Sequence, residues 1–130
     1  MNKILPAIAG AILGIAFIFF SLMFLLHLGP TPPPPPAGSP PALFMGALVP
    51  TGYFTFIKLL ELTGGILVAI PRTRNFGLLI LGPIIINILA FHIFLAHGGG
   101  LEKNPIVVMS LLALYLLWSA RKSFAGLLVK

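Results

Sequence analysis

Two opposite charges, Lys58 and Glu61, stand three residues apart inside the apolar run Phe56-Ile57-Lys58-Leu59-Leu60-Glu61-Leu62-Thr63-Gly64-Gly65. At the centre of a membrane helix a lysine or an acidic residue costs about 2.5 to 3.5 kcal/mol, while each Leu, Ile, Phe or Val returns about 0.3 to 0.6 kcal/mol. With ten such residues between Tyr53 and Ile70, gains and costs roughly cancel, so this helix needs neighbouring helices to hold it. Both side chains are expected to face protein or a wet cavity rather than lipid. Ionisable groups kept inside a membrane move protons, hold ligands or line pathways. Lys58, Glu61 and His92 are therefore the candidate proton- and ligand-contacting residues. The plainer reading is a structural latch, because at (i, i+3) the two side chains can bridge one another on a single helix. Asn87, Ser110 and Tyr115 are candidate ligand-binding residues, with hydrogen bonding between helices the alternative for Asn87.

Other chemistries find little support. The chain has no cysteine, so a disulfide, a thiolate zinc site and an iron–sulfur cluster are excluded. There is no spacing typical of a metal site or a catalytic triad, and Gly98-Gly99-Gly100 lacks the lysine and helix of a phosphate cradle. His27 and His97 fall at the ends of apolar runs, where a solvated histidine is the default. A bis-histidine haem would need His27 and His92 to face one another, which nothing in the sequence indicates. The net charge of +6 would suit nucleic acid in a soluble protein. Here most basic residues sit where hydrophobic runs stop, as membrane orientation requires, so no nucleic-acid partner is expected.

The elements that must position these groups follow from hydropathy. With 58% apolar and 8% charged residues over 130 positions, the chain reads as an integral membrane protein. At about twenty residues per crossing, it has room for one all-α bundle of four transmembrane helices in a single membrane domain. Their expected extents are 4–28, 53–70, 76–96 and 105–120. The first run is too long for a signal-peptide core and is read as a retained helix. Gly10 and Gly14, spaced as G-x-x-x-G, let another helix approach closely, although glycine is also simply common in membrane helices.

Residues 29–41 form a proline-rich outer loop, whose five consecutive prolines at 32–36 favour polyproline II. Residues 42–49 are apolar but too short to cross, and read as an interfacial or re-entrant segment. Gly82-Pro83 inside the third helix invites a kink, while Pro105 opens the fourth. Lys3, Arg72, Arg74, Arg121, Lys122 and Lys130 fall on one side, against Lys103 alone among the loop residues of the other. The positive-inside rule then puts both termini and the 71–75 turn in the cytoplasm.

Depth along the helices, at 1.5 Å per residue, places Lys58 and Glu61 roughly 8 to 12 Å from the outer end, and Asn87 and His92 roughly 6 to 14 Å. Ser110 and Tyr115 fall at similar depth. The expectation is a polar layer in the outer half of the bundle. Asn87 and His92 are about 140° apart around their helix, so they need not meet the same neighbour.

The pattern Gly52-Tyr53-Phe54, Lys58-x-x-Glu61-Leu62-x-Gly64-Gly65, Pro71-Arg72, Gly82-Pro83, Asn87 and Phe91-His92 resembles that of the DoxX-like family of small four-helix bacterial membrane proteins. The likeness covers residues 51–95, and the four-span layout covers the whole chain. The proline run and the short basic tail are not part of that pattern. The resemblance implies a multi-pass protein of the cell inner (cytoplasmic) membrane. Activity in that family is mostly unassigned, but some relatives act as a membrane subunit of a thiosulfate to quinone oxidoreductase or associate with redox-stress partners.

A quinone is then the cofactor to expect, with a carbonyl oxygen bonded to Lys58 or His92 and Glu61 or His92 taking part in proton transfer. The partners to expect are the lipid bilayer, a membrane or soluble redox subunit, and further copies of the chain. Two other classes use the same residues: an assembly or anchoring subunit without chemistry of its own, and a small proton or solute transporter.

Overall fold

The computed structural model of the protein describes residues 3–29, 34–97 and 105–128. The first part of the proline run, residues 98–104 with Lys103, and Lys130 lie outside the described residues. Every regular element among the described residues is a helix.

Helix α1 spans Ile4–Leu25, with Pro6 confined to its first turn, where no amide donor is needed. It ends in a left-handed turn at His27 (φ 55°). There the Leu28 amide donates to the Met23 carbonyl at 2.8 Å and the His27 amide to the Phe24 carbonyl at 3.2 Å, which satisfies carbonyls the helix end would otherwise strand.

Helix α2, Pro40–Leu48, realises the short apolar segment expected at 42–49. Its start is dictated by Ser39-Pro40-Pro41: the Ser39 hydroxyl accepts from the Ala42 amide at 3.4 Å and donates to the Pro36 carbonyl at 2.6 Å. Ser39→Ala should cost about 1 kcal/mol of helix stability. Hydrogen exchange at the first amides of α2 should accelerate about fivefold; unchanged exchange would show that the serine does not cap it.

The chain then bends by 82° into α3, Tyr53–Ala69. Pro50 and Thr51 stop α2, the Thr51 hydroxyl donating back to the Ala47 carbonyl at 2.7 Å. Gly52 makes the corner at φ 83°, a conformation that a residue with a Cβ resists.

Helix α4, Arg74–Ala90, runs without a break through Pro83 and continues into a π-helical turn, Phe91–Leu95. Helix α5, Ile106–Ser119, is followed by the short α6, Arg121–Ala125. All four long helices begin or end within a few residues of the expected positions.

Four helices close a ring, α1 against α3, α3 against α4, α4 against α5 and α5 against α1, while α2 lies at one end touching α3 and the π turn. Leu13, Phe17, Val68, Leu81 and Leu116 are fully or nearly fully buried between them. Many large apolar side chains point outward, among them Ile8, Ile12, Ile15 and Phe19 of α1. Glycines at the helix contacts, among them Gly14, Gly64, Gly65 and Gly77, together with the many large apolar side chains turned outward, suit lipid rather than water as surroundings.

Two helices, Ile4–Leu25 and Arg74–Leu95 with the π turn included, are long and apolar enough to cross a membrane, and the bent α2–α3 pair makes a third if taken as one span. The fourth expected span is only 14 residues here, about 21 Å, against about 30 Å of hydrocarbon.

Candidate functional site

The interface of α1 with α3 is set by glycines. A Cβ placed on Gly65 would lie 3.0 Å from the Gly14 carbonyl oxygen and 3.0 Å from the Phe17 Cβ, so the backbones nearly touch. Nearer the proline-rich end the rings of Phe24 and Phe54 meet edge to face at 4.9 Å. Between these two contacts α3 carries Lys58 and Glu61, and α1 carries Ser21.

The pair is closed, with the Lys58 Nζ 3.4 Å from the Glu61 Oε1. The two side chains are only 16% and 4% exposed, so the costly charges are sheltered by the bundle. The ammonium also lies 5.1 Å from the Phe54 ring centre, within reach of a cation–π attraction.

That contact leaves capacity unspent. Charge-assisted bonds close to about 2.7 to 2.9 Å when nothing else competes, and an ammonium carries three donors, while a carboxylate accepts along about four directions. Among the described residues Lys58 and Glu61 make no other side-chain hydrogen bond.

Ser21 was not singled out from the sequence. It is fully buried, and its Oγ is the one buried side-chain polar atom without a hydrogen-bond partner among the described residues. It lies seven residues beyond Gly14 and four beyond Phe17, on the face of α1 that packs against α3, at the level of Glu61. A serine continuing the Gly10 and Gly14 stripe was the available signal.

The other expected members of the polar layer stand apart. Gly64 beside Leu81 and Gly77 beside Val68 fix the antiparallel register of α3 on α4; extended, it brings Lys58 level with Asn87. The two do not face one another. Asn87 is exposed and lines an open cleft of about 150 Å³ with Phe44, Phe91 and Phe94, and no hydrogen bond joins it to the pair among the described residues.

His92 is half-buried in the π turn, its ring 5.3 Å from that of Phe91, which itself lies 5.3 Å from Phe44 of α2. Ser110 is buried, but its hydroxyl donates to the Ile106 carbonyl one turn back at 2.6 Å. Tyr115 is half-buried and packs against the apolar core. His27 and His97 are exposed, both in the left-handed conformation at helix ends, a local role that histidine tolerates better than most residues.

The site the structure assembles is therefore smaller than the one expected. It consists of the Lys58–Glu61 pair on α3 and, at the level the α1–α3 register gives it, the unpartnered Ser21 hydroxyl on α1, with hydrogen-bonding capacity to spare in apolar surroundings. Such a set can accept a further hydrogen-bonding group or simply hold two helices together. No family model, curated protein or solved structure matches this chain.

Proposed function

We propose that the protein is a DoxX-like, four-span protein of the bacterial inner membrane that binds a quinone-class head group at Lys58, Glu61 and Ser21, as the membrane subunit of a redox complex. In this reading α5 is the fourth crossing, and the termini and the 71–75 turn face the cytoplasm, consistent with their basic residues. The observation that supports it most is the unpartnered Ser21 hydroxyl buried level with a half-satisfied charge pair. A buried polar atom left unpaired costs about 1 to 3 kcal/mol, and a bound oxygen-bearing ring removes that cost.

The bound quinone supplies two-electron, two-proton chemistry, with the electrons delivered by a partner redox subunit. Lys58 donates a hydrogen bond to a carbonyl oxygen, Ser21 donates a second, and Glu61 holds a proton for transfer. Phe24 and Phe54 offer ring faces and edges for stacking. Photolabelling with an azido-quinone should mark residues of α1 and α3 in the wild type. Labelling should fall at least tenfold in Lys58→Met and in Ser21→Ala; undiminished labelling of both folded variants would refute the reading.

A second reading, an anchoring subunit in which the pair is only a latch, is favoured by the closure of Lys58 on Glu61 within one helix. It predicts that exchanging the two charges restores whatever either single substitution breaks. The quinone reading predicts no such rescue of labelling, because the ammonium is displaced by one turn.

A further inference from the structure

The opposite end of the ring carries a second polar feature that the quinone reading does not use. A cleft of about 330 Å³ opens between the start of α1, the turn before α4 and the end of α5. At about 30 Å³ per water molecule, it has room for roughly ten waters, enough for a polyatomic anion. Lys3, Arg74, Asn75 and Ser123 bring donors to its walls. None of these side chains has a hydrogen-bond or ion-pair partner among the described residues.

Arg74 is the anchor of this wall. Its stem lies across α1 at Gly10, where an added Cβ would come within 3.0 Å of the Arg74 Cδ, and the residue as a whole is half-buried. Its first-turn amides in α4 are not capped by Thr73, whose hydroxyl instead donates to the Leu67 carbonyl at 2.7 Å.

Charge balance points the same way. The chain has eight basic and two acidic side chains. One acid, Glu61, is engaged with Lys58 inside the bundle, and the other, Glu102, lies outside the described residues. Arg121 is turned away, donating to the Trp118 carbonyl at 2.8 Å with its guanidinium 4.4 Å from the Trp118 ring centre. Ser119 also lines the cleft, but its hydroxyl donates to the Leu116 carbonyl at 2.9 Å. Lys3 and Arg74 thus line one cavity, and no carboxylate among the described residues pairs with either of them.

We propose that this cleft is a phosphate-binding site, with Lys3 and Arg74 as its cations and Asn75 and Ser123 as neutral donors. Arginine offers a planar fork matched to phosphate oxygens, and basic pockets between membrane helices are suited to anionic lipid head groups. The ligand chemistry is a phosphate group, carried by an anionic phospholipid or free in solution.

The full-length protein, purified in neutral detergent, is offered phosphatidylglycerol and phosphatidylcholine in equal amounts, and retained lipid is counted by native mass spectrometry. Wild type should retain phosphatidylglycerol at least tenfold over phosphatidylcholine. Arg74→Gln should reduce this preference about five- to tenfold, whereas Arg72→Gln, which removes the same charge outside the cleft, should change it less than twofold. Lys3→Gln, at an exposed position before α1, should weaken retention severalfold without touching the packing at Gly10, which keeps the test valid if Arg74→Gln fails to fold.

A second arm adds inorganic phosphate at millimolar concentration without lipid. A rise in melting temperature that Lys3→Gln removes identifies free phosphate as a ligand, and no rise alongside selective lipid retention identifies the head group. Equal losses in Arg72→Gln and the cleft variants, or no preference in the wild type together with no phosphate effect, would overturn the assignment.

Discussion

Lys58→Met is expected to destabilise the folded protein by about 3 to 5 kcal/mol, the usual cost of breaking a buried ion pair by removing one partner. The substitution preserves length and apolar bulk, so the loss would come from the carboxylate left behind. Glu61 has a short side chain that is 4% exposed, and it sits about 12 Å along α3, too deep to extend to water. The reciprocal change should be milder. Glu61→Gln keeps an oxygen acceptor for Lys58, whose long stem begins a turn nearer the helix end and can carry its ammonium outward.

The combination Lys58→Met with Glu61→Leu should recover most of the loss, since replacing a whole buried pair by apolar groups is often neutral or better. Unfolding midpoints in a graded detergent mixture would measure all three. Lys58→Met within 1 kcal/mol of wild type would show that the pair is solvated, contrary to the burial described above.

The second large effect is expected at Gly14. A Cβ there would stand 2.5 Å from the Gly65 carbonyl oxygen, 2.6 Å from the Ala69 Cβ and 2.9 Å from the Ala69 nitrogen. Two of these three obstacles are backbone, which cannot rotate aside. Gly14→Leu must push α1 off α3, and the cost should reach or exceed about 3 kcal/mol, the upper part of the overpacking range. Because Ser21 and the charge pair share that interface, quinone labelling should be lost in the same variant. Gly82→Ala is a control: nothing lies within 4 Å of the added carbon, and stability should hold or rise by up to about 1 kcal/mol, because alanine suits a helix interior better than glycine. Similar melting of the Gly14→Leu and wild-type proteins would mean that α1 and α3 are not in close contact.

How much of this was legible in the sequence depends on which signal each feature leaves. Helix extents were plain, because Pro50, Gly52, Pro71 and Pro105 punctuate apolar runs and proline or glycine carries its meaning locally. The depth of Asn87 relative to Lys58 was also recoverable, since rise per residue is fixed and the connecting turn is short. The direction in which Asn87 points was not. α4 is apolar nearly all round, and a helix without a polar face gives no periodicity from which its inner side can be deduced. In such helices small residues mark contact better than hydrophobic ones do. Gly10 and Gly14 gave that mark for α1, and Gly77, which would have oriented α4, was passed over. Ser21 was lost in the bulk of Phe17, Phe19 and Phe20, although its spacing from Gly14 put it on the same stripe.

The unequal helices have a consequence for the surrounding membrane. α1 has 22 residues and α5 has 14, lengths of about 33 Å and 21 Å. If α5 is the fourth crossing proposed above, the two give the protein one tall wall and one low one. Lipid beside the low wall must thin or its head groups must dip toward the middle, at a cost that grows with each ångström of mismatch. On that reading the α5 flank is where the bilayer would be most deformed.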